Sequence, residues 1–268
     1  MHNLLRISAV SYLNTKPFIY GLHQSRMAGQ MALSLDIPSE CARKLRDGEA
    51  DLALAPVAVI AEMPEAHLVS SYCIGSTGAV KTVCVFSDRP IEQIRRLHLD
   101  FHSRTSIQMV QLLCKHYWRV QPEFVAAQAG FEREIGGDTA ALIIGDRAIG
   151  LEKKYAFVYD LGEIWRLWTG LPFVFAAWIS ARPISPDIVR ALDEAFRSGI
   201  AAIPQLVQIL PQMPGFDIED YYRRCISYEL NEAKRQGMRF FLDHLCGPDG
   251  YRLIDACQNA SQVGKIAI

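Results

Sequence analysis

The sequence has no hydrophobic run long enough to cross a membrane and no excess of charge of one sign. Its longest apolar stretches, such as residues 53–61, fall well short of the roughly 20 residues that a membrane-spanning helix needs. Lysine and arginine number 28 against 29 aspartates and glutamates, so the chain has no field that would gather nucleic acid or an anionic membrane. The segment from Met1 to Ile7 lacks the basic region, apolar region and cleavage site of an export signal. We therefore expect a cytoplasmic protein with neither nucleic acid nor membrane as a partner.

Common cofactor and catalytic motifs are also missing. The seven cysteines are scattered, and no two have the two-residue spacing of zinc or redox motifs. The seven histidines do not cluster at metal-ligand spacing. No P-loop, dinucleotide fingerprint or Gly-x-Ser-x-Gly elbow occurs. The sequence therefore predicts reduced core cysteines, no metal and no bound nucleotide.

What the sequence does contain is an alternation of strands and amphipathic helices that occurs twice. The first round has strand-like and helical segments at residues 6–10, 17–24, 31–35, 39–47 and 51–56. The second round has them at residues 97–101, from 103 onward, 123–127 and 140–144. This order predicts an α/β protein with two lobes, each a mostly parallel sheet flanked by helices.

Two β-rich runs, residues 82–87 and 173–179, lie where strands could cross between the lobes. We expect lobe I to comprise residues 1–84 and 178–268, and lobe II to comprise residues 85–177. Later helices, the first opened by Ser185 and Pro186, should pack on lobe I, and those from Asn231 onward could also form a dimer surface. Both a monomer and a homodimer fit this pattern. A ligand would bind in the cleft, outside the carboxyl ends of the strands.

The loop after the first strand is rich in hydrogen-bonding groups. Ser11, Tyr12, Asn14 and Lys16 precede a helix with a proline near its start, and such a loop can present donors to an anion. An ordinary helix cap by Asn14 or Thr15 explains the same pattern equally well.

A second polar loop follows the strand at residues 97–101. Ser103, Arg104, Thr105 and Ser106 open a helix and suit a carboxylate or phosphate. Arginine is unexpected at a helix N-terminus, which already carries partial positive charge, and its presence favours an anionic ligand. His102 directly precedes this loop and is a candidate general base.

Asp146 follows the strand at residues 140–144. Its carboxylate could face the cleft and contact substrate, or it could pair with or cap the next segment.

Five ordered strings resemble the chorismate dehydratase family of the futalosine route to menaquinone. They are Ala9-Val10-Ser11-Tyr12-Leu13-Asn14, Gly48-Glu49-Ala50-Asp51-Leu52-Ala53-Leu54, Ser103-Arg104-Thr105-Ser106, Ile144-Gly145-Asp146 and Thr169-Gly170-Leu171-Pro172-Phe173-Val174-Phe175-Ala176. The resemblance implies a type II periplasmic-binding-protein-like fold. It also implies conversion of chorismate to 3-[(1-carboxyvinyl)oxy]benzoate and water, without metal or organic cofactor.

The resemblance also implies roles for particular residues. Asn14 and a hydroxyl between Ser76 and Thr82 become the expected catalytic contacts, while Ser103, Thr105 and Ser106 would hold a substrate carboxylate. The family commonly reads Gly-Pro-Val-x-Ser-Val where this chain reads Gly78-Ala79-Val80-Lys81-Thr82-Val83. Thr82 thus keeps a hydroxyl with an extra methyl group, and the choice between Ser76 and Thr82 stays open at this point.

The matching loops offer serine, threonine and asparagine but no obvious acidic or lysine base. We therefore expect the substrate's own side-chain carboxylate to remove the ring proton, with Asn14 and Thr82 or Ser76 orienting it. Two alternatives belong to other classes. The related 1,4-dihydroxy-6-naphthoate synthase is expected to use a histidine, which residues 11–17 lack. A non-catalytic protein that binds a small anion is the other alternative.

Overall fold

The computed structural model of the chain describes residues 4–256, so Cys257 and the ends of predicted lobe I at residues 1–3 and 257–268 lie outside the described residues. The strands are β1 (Leu5–Val10), β2 (Met31–Asp36), β3 (Leu52–Pro56), β4 (Ala66–Ser76), β5 (Val83–Ser87), β6 (Arg96–Leu99), β7 (Glu123–Ala126), β8 (Thr139–Ile144), β9 (Phe157–Asp160), β10 (Phe173–Ser180), β11 (Ser227–Glu229) and β12 (Leu253–Asp255). The α-helices are α1 (Lys16–Gln24), α2 (Pro38–Arg46), α3 (Thr105–Leu113), α4 (Leu161–Thr169), α5 (Pro186–Ala201), α6 (Ile203–Ile209), α7 (Ile218–Asp220) and α8 (Glu232–Cys246). None of these helices is long and apolar enough to cross a membrane.

The strands form two sheets. Sheet A has the order β11-β4-β10-β3-β1-β2, with β12 also pairing with β4. Sheet B has the order β7-β6-β8-β5-β9. Helices flank both sheets, which confirms the predicted α/β class with two sheet-based halves. The pairings around β1 and β6 are parallel as expected.

The prediction of mostly parallel sheets is corrected in one respect. Strands β5 and β10 pair antiparallel with both of their neighbours, so each sheet is mixed. The reason is topological, because each of these strands enters its sheet from the other half of the molecule rather than through a helical crossover. Strand β5 belongs wholly to sheet B and β10 wholly to sheet A, so the chain changes sheet between Ser76 and Val83 and again between Asp160 and Phe173. The lobe boundaries at 84/85 and 177/178 stay a prediction.

The apolar core runs through both sheets and their helices. Helix α5 begins as expected, with Ser185 Oγ accepting a hydrogen bond from Ile188 N–H and Pro186 at the first position. Its buried stripe includes Phe196, whose ring stacks on Trp178 of β10 with centroids 4.6 Å apart. The apolar packing holds the carboxyl ends of β1, β3 and β8 around one space between the sheets, where the polar loops meet.

Candidate active site

A cavity lies between the two sheets, and the empty space in and in front of it, open solvent included, is about 510 Å³. Its polar lining comes from loops that follow strands or open helices: Tyr12, Asn14, Thr82, Ser103, Thr105 and Ser106. Its apolar lining comes mainly from the ends of strands: Val10, Pro38, Pro56, Ile74, Val80, Val83, Ile144, Phe175 and Ala176. Within residues 4–256, no charged side chain and no histidine is part of this lining. The cavity therefore meets a ligand with neutral donors and apolar walls.

Three hydroxyl groups lie at the start of α3, that of Ser103 just before the helix and those of Thr105 and Ser106 in its first turn. Ser103 Oγ accepts a hydrogen bond from Ser106 N–H at 2.9 Å, and Thr105 Oγ1 accepts one from Ala58 N–H at 3.1 Å. Because both oxygens act as acceptors, their hydrogens stay available to a ligand. Ser106 Oγ has no protein partner in the described part of the chain. Three free O–H donors at a helix N-terminus suit a carboxylate.

Asn14 lies on the opposite wall, in a short 3-10 turn from Leu13 to Thr15. Thr15 Oγ1 donates to Asn14 Oδ1 at 3.1 Å, which leaves the amide NH₂ as the free part of the side chain. The backbone of this turn is held by two buried phenols, since Tyr222 donates to the carbonyl of Leu13 and Tyr228 to that of Asn14, both at 2.9 Å. Asn14 is therefore a fixed donor.

Thr82 and Ser76 lie in different surroundings. Thr82 lines the cavity, and its Oγ1 lies 2.8 Å from the hydroxyl of Tyr221. Ser76 Oγ is buried without a hydrogen-bond partner in the described residues and packs against Gly162, outside the cavity lining. Of the two predicted hydroxyls, that of Thr82 belongs to a residue of the cavity lining and that of Ser76 does not, and a catalytic role for either stays a prediction.

Tyr12 lines the cavity and contacts His102, which does not line it. Its hydroxyl lies 2.7 Å from His102 Nδ1. Burial raises the pKa of Tyr12, whereas burial and then the charge of Arg147 lower the pKa of His102. Both groups are therefore neutral where they pair, and the tautomer of the imidazole decides which of the two donates. His102 does not itself line the cavity, so a base role would have to act through Tyr12.

Three further predicted site residues do not line the cavity. Arg104 donates to Glu62 at 2.5 and 2.6 Å. Arg104 follows β6 of sheet B and Glu62 follows β3 of sheet A, so this pair connects the two sides of the cavity. Asp146 accepts from Leu13 N–H at 3.0 and 3.1 Å, again between the two sides. Ser11 N–H donates to the carbonyl of Asp36 at 2.9 Å. The contacts of Arg104 and Asp146 hold the two sides of the cavity together, and a direct contact of these three residues with substrate stays a prediction.

Phe175 and Tyr221 are site residues that sequence reasoning did not single out. Phe175 contributes the aromatic wall of the cavity, and Tyr221 is fully buried behind Thr82. Phe175 lies in the string from Thr169 to Ala176, which resembles the family, and that resemblance could have identified it as a site residue. Tyr221 had no such signal, because it comes from a segment more than a hundred residues away in sequence from Thr82.

Gly145 is required by the packing of Tyr12. It has φ +67°, and a Cβ atom there would lie 2.5 Å from the Tyr12 ring. We expect Gly145→Ala to cost about 1–2 kcal/mol through the backbone, and about 1–3 kcal/mol more by displacing Tyr12. Gly150 is the matched control, because it has φ +81° and nothing within 4 Å of its Cβ position. Denaturant unfolding of both variants measures the difference, and equal losses of stability would contradict the proposed clash.

Comparisons with known proteins agree with this architecture. A protein of Archaeoglobus fulgidus has a solved structure with a TM-score of 0.66 and 15% identity, covering 90% of this chain and 96% of its own. A Candida albicans protein described as having the generic periplasmic-binding-protein fold has a TM-score of 0.62 and 10% identity, covering 90% of each chain. These neighbours confirm the predicted periplasmic-binding-protein-like fold.

Sequence comparison extends the agreement from fold to family. The chain is 27% identical over 265 residues to a Thermus thermophilus protein named chorismate dehydratase, covering 86% of this chain and 96% of the relative. The sequence model of the family described as menaquinone biosynthesis matches residues 5–246, which include every residue of the cavity lining. The chain therefore belongs to the menaquinone biosynthesis family.

Proposed function

We propose that this protein is a chorismate dehydratase, a carbon–oxygen lyase that converts chorismate to 3-[(1-carboxyvinyl)oxy]benzoate and water. The family supports a step in menaquinone biosynthesis, and the Thermus relative has this name. The observation that carries the proposal is the cavity itself, with three hydroxyls at the start of α3, the Asn14 amide opposite them and the Thr82 hydroxyl between apolar walls.

The chemistry explains why neutral donors suffice. Chorismate has two carboxylates, and loss of a hydrogen and a hydroxyl from adjacent ring carbons makes its ring aromatic, so the driving force lies in the substrate. The protein has to select one reactive conformer, offer donors where charge develops and exclude water. In our proposal Ser103, Thr105 and Ser106 bind one carboxylate. Asn14 orients the carboxylate of the enolpyruvyl side chain.

We assign proton removal to the substrate's own side-chain carboxylate. That carboxylate takes the proton from the ring carbon that bears the ether, the electron pair forms the new ring double bond, and the neighbouring C–O bond breaks. The departing hydroxyl leaves as water with the proton that the carboxylate passes on. Thr82 donates a hydrogen bond to that hydroxyl and keeps its own proton. His102 is a poorer candidate for the base, because Tyr12 occupies its Nδ1.

Incubation of the purified protein with chorismate tests the function. We expect an aromatic product whose mass is lower than that of chorismate by one water, detected by chromatography with mass spectrometry. Buffer alone and protein with Asn14→Ala are the controls for product that forms without the active site. Chorismate that binds tightly and returns unchanged would identify a small-anion-binding protein instead, as the binding-protein-like neighbours allow. Turnover of a later aromatic intermediate of the pathway in place of chorismate would favour the naphthoate synthase alternative.

A further inference from the structure

The hydroxyl of Tyr221 contacts the segment between Ser76 and Val83, through which the chain passes from sheet A to sheet B. Tyr221 opens a five-residue π-helical segment, Tyr221–Cys225, directly after α7. Its side chain is 0% exposed, and its hydroxyl lies 2.8 Å from Thr82 Oγ1. Single π turns inside helical segments are frequent at functional sites. Here the turn places a phenol directly behind the hydroxyl that faces the ligand.

The direction of this hydrogen bond follows from the partners that each oxygen has. Among residues 4–256, Thr82 Oγ1 is the only hydrogen-bond partner of the Tyr221 hydroxyl. Burial raises the pKa of Tyr221, so the phenol keeps its hydrogen and needs an acceptor. If Thr82 donated instead, the buried phenol hydrogen would have no partner, which is unfavourable. Tyr221 is therefore the donor.

The hydrogen of Thr82 is then free for the ligand. Its other neighbour within the protein is the carbonyl of Val80 at 3.4 Å, which is longer than an ordinary O–H···O hydrogen bond. A ligand oxygen at normal distance would compete well with that carbonyl. Donation from Tyr221 would also polarise the Thr82 O–H bond and strengthen it as a donor, because hydrogen bonds in a chain reinforce one another.

We propose that Tyr221 is a positioning residue that acts through Thr82, directing the Thr82 hydroxyl hydrogen to the ring hydroxyl that leaves the substrate. This role rests on the proposed dehydratase function. No proton is transferred along the pair, since the departing hydroxyl receives the ring proton from the substrate carboxylate. Tyr221 and Thr82 supply hydrogen bonds only, and both are neutral before and after the reaction.

A double-mutant cycle tests the role kinetically. Tyr221→Phe keeps the ring, which packs on Phe216 with centroids 5.2 Å apart, and removes only the hydroxyl. We expect kcat to fall about tenfold, the effect of one lost hydrogen bond, with KM changed less than about twofold. In a Thr82→Val background the same change should cost nothing further, because the group through which Tyr221 acts is gone.

Tyr159→Phe is the matched control, since its hydroxyl accepts from Ile91 N–H at 2.8 Å, away from the cavity. It should leave kcat unchanged. An equal loss from Tyr221→Phe in the wild-type and Thr82→Val backgrounds would show that Tyr221 supports the fold alone and would overturn the proposal. So would an unchanged kcat in Tyr221→Phe.

Neutron diffraction from deuterium-exchanged crystals decides the direction of the hydrogen bond without any turnover. We expect deuterium on Tyr221 Oη, aligned with Thr82 Oγ1. Deuterium on Thr82 that points to Tyr221 would refute the proposal, whatever the substrate is. Wild-type protein that leaves chorismate unchanged would instead refute the dehydratase function, and the neutron result would still settle the orientation of Thr82.

Discussion

Replacing Asn14 by alanine is expected to lower kcat for chorismate by about 10²–10³-fold, the usual loss when a fixed donor to developing charge is removed. The free NH₂ of Asn14 is the only side-chain amide in the cavity lining of the described residues. The turn should keep its place, because Tyr228 and Tyr222 hold its backbone carbonyls rather than the Asn14 side chain. Steady-state kinetics and thermal unfolding together measure the effect. The unfolding temperature should change little.

Asn14→Asp separates orientation from folding. A carboxylate still accepts from Thr15 Oγ1 but faces the substrate with an acceptor in place of a donor, so we expect weaker binding as well as low kcat. Full turnover in Asn14→Ala would contradict the assigned role. Loss of turnover in His102→Ala with chorismate binding intact would move the base from the substrate to the protein.

Most of the fold could be predicted because its signals are local. Periodic apolar residues located β1, α1, β2 and α2, and a serine–proline pair located the start of α5. Strand β4 was not predicted from residues 66–76, since its polar residues break the strand pattern and its partners β10, β11 and β12 lie far along the chain. Its existence depends on tertiary pairing, which one sequence does not display.

In the candidate site, too, features with a local sequence signal could be predicted and contacts between distant segments could not. The loops that carry Asn14 and Ser103 were found because parallel strands end at a common edge, where ligands bind. The partner of Arg104 could not be found in this way, because Glu62 lies 42 residues away in sequence. A charged residue at a helix start suggested an anionic ligand; the structure shows Arg104 paired with Glu62, and a contact with substrate stays a prediction. Sequence patterns thus located the cavity but not the contacts behind it.

The loop that presents Thr82 depends on one buried carboxylate. Asp160 accepts hydrogen bonds from Val80 N–H at 2.9 and 3.0 Å and from Lys81 N–H at 2.6 Å. It also caps α4 by accepting from Gly162 N–H at 2.9 Å. Lys81 has φ +63°, a left-handed conformation that costs free energy in a residue with a side chain. The carboxylate compensates for that cost, so Thr82 faces the cavity because Asp160 holds the two residues before it.

Asp160→Ala is therefore expected to destabilise the protein by about 2–4 kcal/mol, since it removes a helix cap and leaves the buried Val80 N–H without a partner. Turnover should fall at least about tenfold in the folded protein, because the loop can relax and move the Thr82 hydroxyl from its place. Ser185 offers a matched control, as it caps α5 by accepting from the N–H of Ile188 at 3.4 Å, away from the cavity lining. Its replacement by alanine should cost about 1 kcal/mol or less and spare turnover. Denaturant unfolding and kinetics on both variants separate the two contributions. If Asp160→Ala lost stability but kept full kcat, Thr82 would be held by its contact with Tyr221 and not by the carboxylate behind the loop.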